Sequence, residues 1–554
     1  MQHADVAPRP MAAPPIPARA RDGHSSCHRG RALGWRLFLA GVAVLALALR
    51  LWNAASFPIF LDEASYSRWA HDIWTAHTRA ALLLPVRDDG KTPLFFILQA
   101  LGSALTGDVL QAGRLLSAAS GTATAVLIGL LGNHLYGPRH GLAAAAIYAL
   151  LPLAVLHERL ALPDTLLTAL STGVALAAAT LAMAQTPSYA GRYGIGVPLV
   201  AGILCGLAAV STKASGVALA AYALAAWLAW CLPRHERRLA FQWRDAALGA
   251  LALAPLAAYA AWSYGPWGEP VRRMAALHSI GLRHLFAPPL LDWDENLRRT
   301  ISYVAAYLPG LLWLAGAAGL AQPIRTKRPA DGFLIVCALA TIAPVLLLGR
   351  AIFSRYYLPA LPFMTLLALR ALVAVGLPFA HRQVWQARLA CGAGAAGLAV
   401  SALVGLRLTW DIVMRPEAAA LAAHDRFQYI SGWPSGYGLA GAVQAVRADA
   451  GSRRAFVLTD HYIGLPRDYV AVALAGDPQL THYVEGAILW GDRAALLRWR
   501  SHGLPLYIIA NRGRDNIEAL ERALPDATLI GRYPKPGGTS EYVVWRIDVL
   551  SGQT

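Results

Sequence analysis

The chain has 554 residues, of which 56% are hydrophobic and 15% charged, with a formal charge of +17. That balance excludes an ordinary soluble enzyme and reads as a polytopic α-helical membrane protein with a small soluble part. The charge does not mark a nucleic-acid binder: the basic residues lie in short loops between apolar runs, with no Cys/His cluster or RNP-like run beside them.

Residues 1–34 are rich in Pro, Ala and Arg without an apolar period, and read as a disordered basic cytoplasmic tail. The apolar run that follows has no convincing cleavage site and is a first span, not a signal peptide. A helix needs roughly 20 apolar residues to cross a bilayer, and about 17 suffice. That measure gives eleven to thirteen transmembrane helices, with spans near 35–54, 113–134, 141–157, 164–184, 195–212, 214–231, 245–265, 300–320, 332–349, 356–378 and 387–407. Arg139, Arg192, Arg234, Arg325 and Arg388 fall in alternate loops, which predicts an N-terminus inside and a C-terminus outside.

Two segments of the first outside loop, 55–112, are helical without being spans. LDEASYSRWAHDIW places Tyr66, Trp69, Ala70, Ile73 and Trp74 at helical spacing, the pattern of an amphipathic helix lying on the membrane. PLFFILQALGSALT is apolar but too short to cross, and reads as interfacial or re-entrant. Beyond residue 408 the chain turns soluble. Candidate strands at 455–458, 506–510, 528–533 and 542–547 alternate with candidate helices at 439–450, 492–500 and 516–523, predicting a small α/β domain over 409–554. The five cysteines lie in the tail or at apolar spans, so no disulfide framework is expected.

The candidate chemistry lies at the outside ends of the spans. Asp62 and Glu63 open the amphipathic helix, where acids serve as caps; a partly desolvated carboxylate there also suits a general base. Lys91, in GKTPL, is either a snorkelling anchor or a cation beside a helix N-terminus that suits a phosphate. In LHERLALPDTLL, His157, Glu158 and Arg159 read as a salt-bridged loop and Asp164 as a cap. Functionally, Asp164 would assist the base or bind a divalent cation with Asp62, and Arg159 would hold an anion. Lys213 and Arg355 are further cations at span ends that suit a phosphate leaving group. No metal-ligand signature and no nucleotide-binding motif appears, leaving a divalent cation as the one candidate cofactor.

The order FPIFLDEASYSRWAHDIW, KTPLFFILQALGSALTGD, GRLLSAASG, LHERLALPDTLL, STKASG and RYYLPALP resembles the GT-C superfamily of membrane glycosyltransferases. Within it the order is most similar to the family 39-like group of aminoarabinose transferases and protein O-mannosyltransferases, over about residues 35–376. Gly90, Thr92 and Ser65 depart from residues found in relatives. The resemblance implies that Asp62 is the catalytic base with Glu63 beside it, that Lys91 contacts a lipid phosphate, and that Asp164 is the second acid. It implies inverting transfer of a sugar from a polyprenyl-phosphate donor to an acceptor hydroxyl of lipid A, another glycan, a lipid or a protein, at the periplasmic face of the bacterial inner membrane. SGWPSGYGL in the C-terminal domain reads as a cover for the cavity, an acceptor contact, or a Gly/Pro turn into a helix. The competing reading is a lipid or polysaccharide transporter or assembly protein. Repeated halves and ionisable residues at span midpoints would mark it; instead the candidate residues sit at span ends.

Overall fold

The computed structural model describes residues 20–184, 194–235, 242–281, 290–308, 328–380, 385–538 and 540–548. Helix α1 (Ala20–Leu51) begins inside the stretch expected to be disordered. Once a membrane span has nucleated a helix, extension costs little per residue, so the Arg- and Ala-containing end of the tail continues it. Residues 1–19 of that tail lie outside the described residues.

Helix α2 (Leu61–Ala76) is followed by α3 (Leu94–Thr106), whose 13 residues are too few to cross a bilayer, as their apolar length predicts. Helix α4 (Val109–Tyr136) starts where the Asp108 side chain accepts from the Gln111 N–H at 2.8 Å. Helix α5 (Pro138–Leu150) is cut short before Pro152, so the span expected at 141–157 is a broken one. Helix α6 (Pro163–Met183) buries Thr168, Ser171 and Thr172, each hydroxyl donating to a carbonyl three or four residues back, which lets polar side chains sit in an apolar helix without orphaned groups.

The membrane part continues through α7 (Gly196–Thr212), α8 (Ala214–Cys231), α9 (Trp243–Tyr264), α10 (Gly268–His278), α11 (Leu290–Tyr307), α12 (Pro329–Leu348), α13 (Leu361–Ala380) and α14 (Trp385–Met414). Among the described residues, eight helices are long and apolar enough to cross a membrane, and they answer eight of the expected spans. Of the others, 141–157 is broken, 195–212 is the 17-residue α7, and the latter half of 300–320 lies outside the described residues. The chain is a multi-pass membrane protein.

The C-terminal domain is a five-stranded sheet of β1 (Ala455–Thr459), β2 (Leu480–Val484), β3 (Leu506–Asn511), β4 (Thr528–Pro534) and β5 (Glu541–Ile547), in the order β2-β1-β3-β5-β4. The first three strands are parallel and β5 runs antiparallel to both neighbours. Helix α15 (Leu439–Ala450) packs Val443 and Val446 with Val457, Tyr507 and Val544 on one face. On the other, α17 (Arg493–Arg498) and α18 (Ile517–Ala523) bury Leu496 and Leu520 with Leu458, Ile508 and Trp545. Strand β2 and helix α16 (Arg467–Ala473) were not anticipated; the strand is a short edge with three of its five residues exposed.

This domain corrects the surface placement of α2. Tyr66 and Trp69 pack on Phe96 of α3, while on the far side Ser65 donates to Asp468 of α16 at 3.1 Å and Leu61 meets Gly464. Helix α2 is therefore enclosed on two faces, because its small residues Ala64 and Ser65 allow the C-terminal sheet domain to approach closely.

Candidate active site

A cavity of about 530 Å³ opens where α2, the residues before α3, and the ends of α6, α7 and α12 converge under α10. Asp62, Lys91, Asp164, Lys213 and Arg355 all line it, so five of the seven residues expected to act together are brought together. Its remaining wall is largely apolar, with Leu167, Val217, Val271, Met274 and Val345.

Each cation in the cavity has both a carboxylate and an aromatic neighbour. Arg355 donates to Asp62 at 2.9 Å and lies 4.3 Å from the Phe353 ring. Lys213 contacts Asp164 at 2.5 Å and lies 4.2 Å from Tyr356. Lys91 pairs with Asp89, absent from the sequence reading, and sits over Tyr66 at 5.1 Å. Burial pushes Lys213 down, with Asp164 opposing. Burial also acts to lower Lys91, but Asp62 and Asp89 outweigh it and the ammonium is held above its ordinary value. Tyr66 is pushed well up, chiefly by burial and then by the Asp62 charge, so it stays a neutral phenol.

Local structure explains these positions. Lys91 follows Gly90, whose φ of +58° favours glycine, and a Cβ there would collide with the Pro270 carbonyl at the start of α10. Asp164 stands in the first turn of α6, and Lys213 caps the end of α7, so one pair bridges adjacent helix ends.

Glu63 and Arg159 stand elsewhere. Glu63 is fully buried, facing α4: Arg114 donates to both its oxygens at 3.0 Å, and the amides of Phe60 and Ala161 donate at 3.0 and 2.7 Å. Arg114 also donates to the carbonyls of Ala54, Phe57 and Pro58, tying down the loop that leads to Asp62. Successive helical residues point about 100° apart, so Asp62 and Glu63 cannot both face the cavity. Arg159 donates to the carbonyls of Leu49, Arg50, Trp52 and Asn53, closing the C-terminal end of α1, and none of these contacts faces the cavity. Beside it Glu158 pairs with Arg50 and accepts from the Tyr148 hydroxyl at 2.6 Å. The sequence reading passed over Arg114 and Arg50; an arginine inside an otherwise apolar helix was the available signal.

Asp62 and Asp164 are the carboxylates that would hold a divalent cation. Each is already bonded to a cationic side chain, and among the described residues no three His, Cys, Asp or Glu cluster as ligands. This donor set does not fit a metal, and no chemical step is assigned to one.

Residues 90–262 match the family described as dolichyl-phosphate-mannose-protein mannosyltransferase. The chain is similar in structure to ArnT from Cupriavidus metallidurans, in the apo state and bound to undecaprenyl phosphate. Each comparison has a TM-score of 0.59, at 15% and 14% identity, covering 95% and 94% of this chain and all of ArnT. The oligosaccharyltransferase of Archaeoglobus fulgidus, in complex with zinc and sulfate, gives a TM-score of 0.50 at 11% identity, over 90% of this chain and 73% of its own. No curated protein matches in sequence. The chain therefore has an ArnT-like GT-C fold, a helical membrane part followed by a small C-terminal sheet domain.

Proposed function

We propose that the protein transfers a sugar from a polyprenyl-phosphate donor to an acceptor hydroxyl at the periplasmic face of the inner membrane. The observation that carries this reading is the composition of one cavity: three cations and two carboxylates at one end, apolar helix faces along the rest. Such a space suits an anionic head on a hydrocarbon tail, and the undecaprenyl phosphate bound by the structurally similar ArnT supports the assignment.

In the proposed reaction Asp62 accepts the proton of the acceptor hydroxyl as its oxygen attacks the anomeric carbon. The bond from that carbon to the phosphate oxygen breaks with its electron pair on the phosphate, and direct displacement inverts the anomeric configuration. Lys91, Lys213 and Arg355 take up the departing negative charge. Arg355 must exchange Asp62 for a phosphate oxygen, which frees the carboxylate to act as base. Asp164 orients Lys213. The acceptor is a hydroxyl of lipid A, another glycan, a lipid or a protein.

The test is transfer of labelled sugar from polyprenyl-phosphate donors in membranes containing wild type or Asp62→Asn. Activity in the wild type and its near loss in the variant are expected; full transfer by Asp62→Asn would sink the assignment. Intact-mass analysis of lipid A and surface glycans from a deletion strain identifies the acceptor.

A further inference from the structure

One short segment of the C-terminal part holds both members of the Asp62–Arg355 pair. On the side-chain side, the Arg355 Nη1 donates to Gln428 Oε1 at 3.3 Å and to the Tyr429 hydroxyl at 3.4 Å, while Nη2 serves Asp62. Gln428 is fixed in turn by a 3.0 Å contact with His424, and Tyr429 is buried with its ring 4.8 Å from that of Phe60. On the backbone side, Phe60 and Ser435 form an antiparallel bridge, the Leu61 N–H donates to the Pro434 carbonyl at 3.0 Å, and the Gly436 N–H donates to Ile59 at 2.9 Å. These bonds end at the residue before Asp62.

The same segment is gripped from behind by the sheet domain. Lys535 is 3% exposed and forms no ion pair among the described residues; its Nζ lies within hydrogen-bond distance of the carbonyls of Gly432 and Trp433, at 3.1 and 3.3 Å, and of Asn511 Oδ1, at 3.0 Å. Asn511 donates to Trp433, and the Tyr542 hydroxyl to Ser435 at 2.9 Å. Burying a lysine without a countercharge is costly, and here three carbonyl-type oxygens on the strap and its anchor offset that cost. A merely covering domain has no need of such an arrangement.

We propose that Gln428, Tyr429 and Lys535 are positioning residues for the transfer, through which the C-terminal domain sets the orientation of Asp62 and Arg355. The inference rests on the transferase reading for its kinetic consequence but not for the contact itself. Gln428 and Tyr429 keep the guanidinium in place when Asp62 leaves it; Lys535 keeps the 432–436 strap, and with it the backbone before Asp62, in register. Misplacement of a catalytic group by about 1 Å costs on the order of 100-fold in rate, so a modest loosening is measurable.

Three variants test this. Tyr429→Phe retains the ring and is expected to lower kcat about 5–10-fold while the donor KM changes less than about two-fold. Gln428→Glu sets a second carboxylate against Arg355, in competition with Asp62, and is expected to move the acid limb of the pH–rate profile upward by up to about one unit. Lys535→Met is expected to speed hydrogen exchange of peptides covering residues 57–63 about 10-fold, leaving peptides of β3 unchanged. Unchanged kcat and pH profiles in the first two variants, or rate losses that only follow the amount of folded protein, overturn the proposal. So does wild-type exchange at 57–63 in Lys535→Met. A wild type inactive with every polyprenyl-phosphate donor refutes the reaction instead, and the exchange measurement, which needs no turnover, still decides the contact.

Discussion

Two sets of ion pairs lie within a few helical turns of one another, and they are built differently. Glu63–Arg114 and Glu158–Arg50 are sealed from solvent, and Glu63 carries two further amide donors. In Asp62–Arg355 and Lys213–Asp164 one partner of each pair remains 22% and 29% exposed, and both pairs face an open cavity. The sealed pairs fix loops and helix ends. The open ones are held by few enough bonds to be exchanged for those of a ligand.

The largest expected difference is kinetic. Asp62→Asn should reduce kcat in the labelled-sugar assay by roughly 100- to 10,000-fold with little loss of folded protein, the range for removal of a general base. Glu63→Gln should do the reverse: breaking a buried pair costs about 3–5 kcal/mol, so thermal unfolding in detergent falls steeply while kcat per folded molecule stays within a few-fold. A Glu63→Gln enzyme as stable as wild type but inactive would break the division.

Lys213→Met removes one open cation, and the donor KM should rise about 10- to 150-fold, the range for loss of a charge-assisted contact of about 1.5–3 kcal/mol. Lys535 presents the third case, a buried lysine with no carboxylate partner among the described residues. Burial lowers its pKa to about 6, below its ordinary 10.5, so between those values the unfolded chain binds more protons than the folded one. Stability therefore rises with pH from about 6 to 10.5, and Lys535→Met should flatten that slope in unfolding curves taken across the window. The smallest effect is expected at Arg159, where Arg159→Met should leave the donor KM within about two-fold of wild type, since its bonds go to the carbonyls ending α1.

The sequence made most of this visible where a residue's environment follows from its neighbours. Asp164, Lys213 and Arg355 stand at span ends and Asp62 and Lys91 in the long loop after the first span, and the alternation of spans alone brings these segments to one side of a membrane. Glu63 and Arg159 were not separable from them, because the deciding variable is azimuth. One residue's step around α2 turns a carboxylate from the cavity toward Arg114, and Arg159 faces carbonyls more than 100 positions away in the chain. The edge strand β2 escaped for a related reason, since its pairing with β1 is recorded by no local period, whereas the break at Pro152 was written in the sequence as a proline inside an expected span. The grip of the C-terminal domain on the Asp62 loop depends on contacts spanning about two thirds of the chain, from Leu61 to Pro434.

The pairing of every cavity cation with its own carboxylate has a consequence for selectivity. Lys91, Lys213 and Arg355 are offset by Asp89, Asp164 and Asp62, so the resting cavity projects little net field to draw anions from solution. An inorganic phosphate or soluble sugar phosphate must break an existing bond for each one it makes. A phosphate tethered to a long prenyl chain arrives already confined to the bilayer, and its hydrocarbon contributes about 25 cal/mol for each Å² of apolar surface covered. On this reading the cavity discriminates by what the anion is attached to: the tail supplies the affinity, and the head needs only to trade partners.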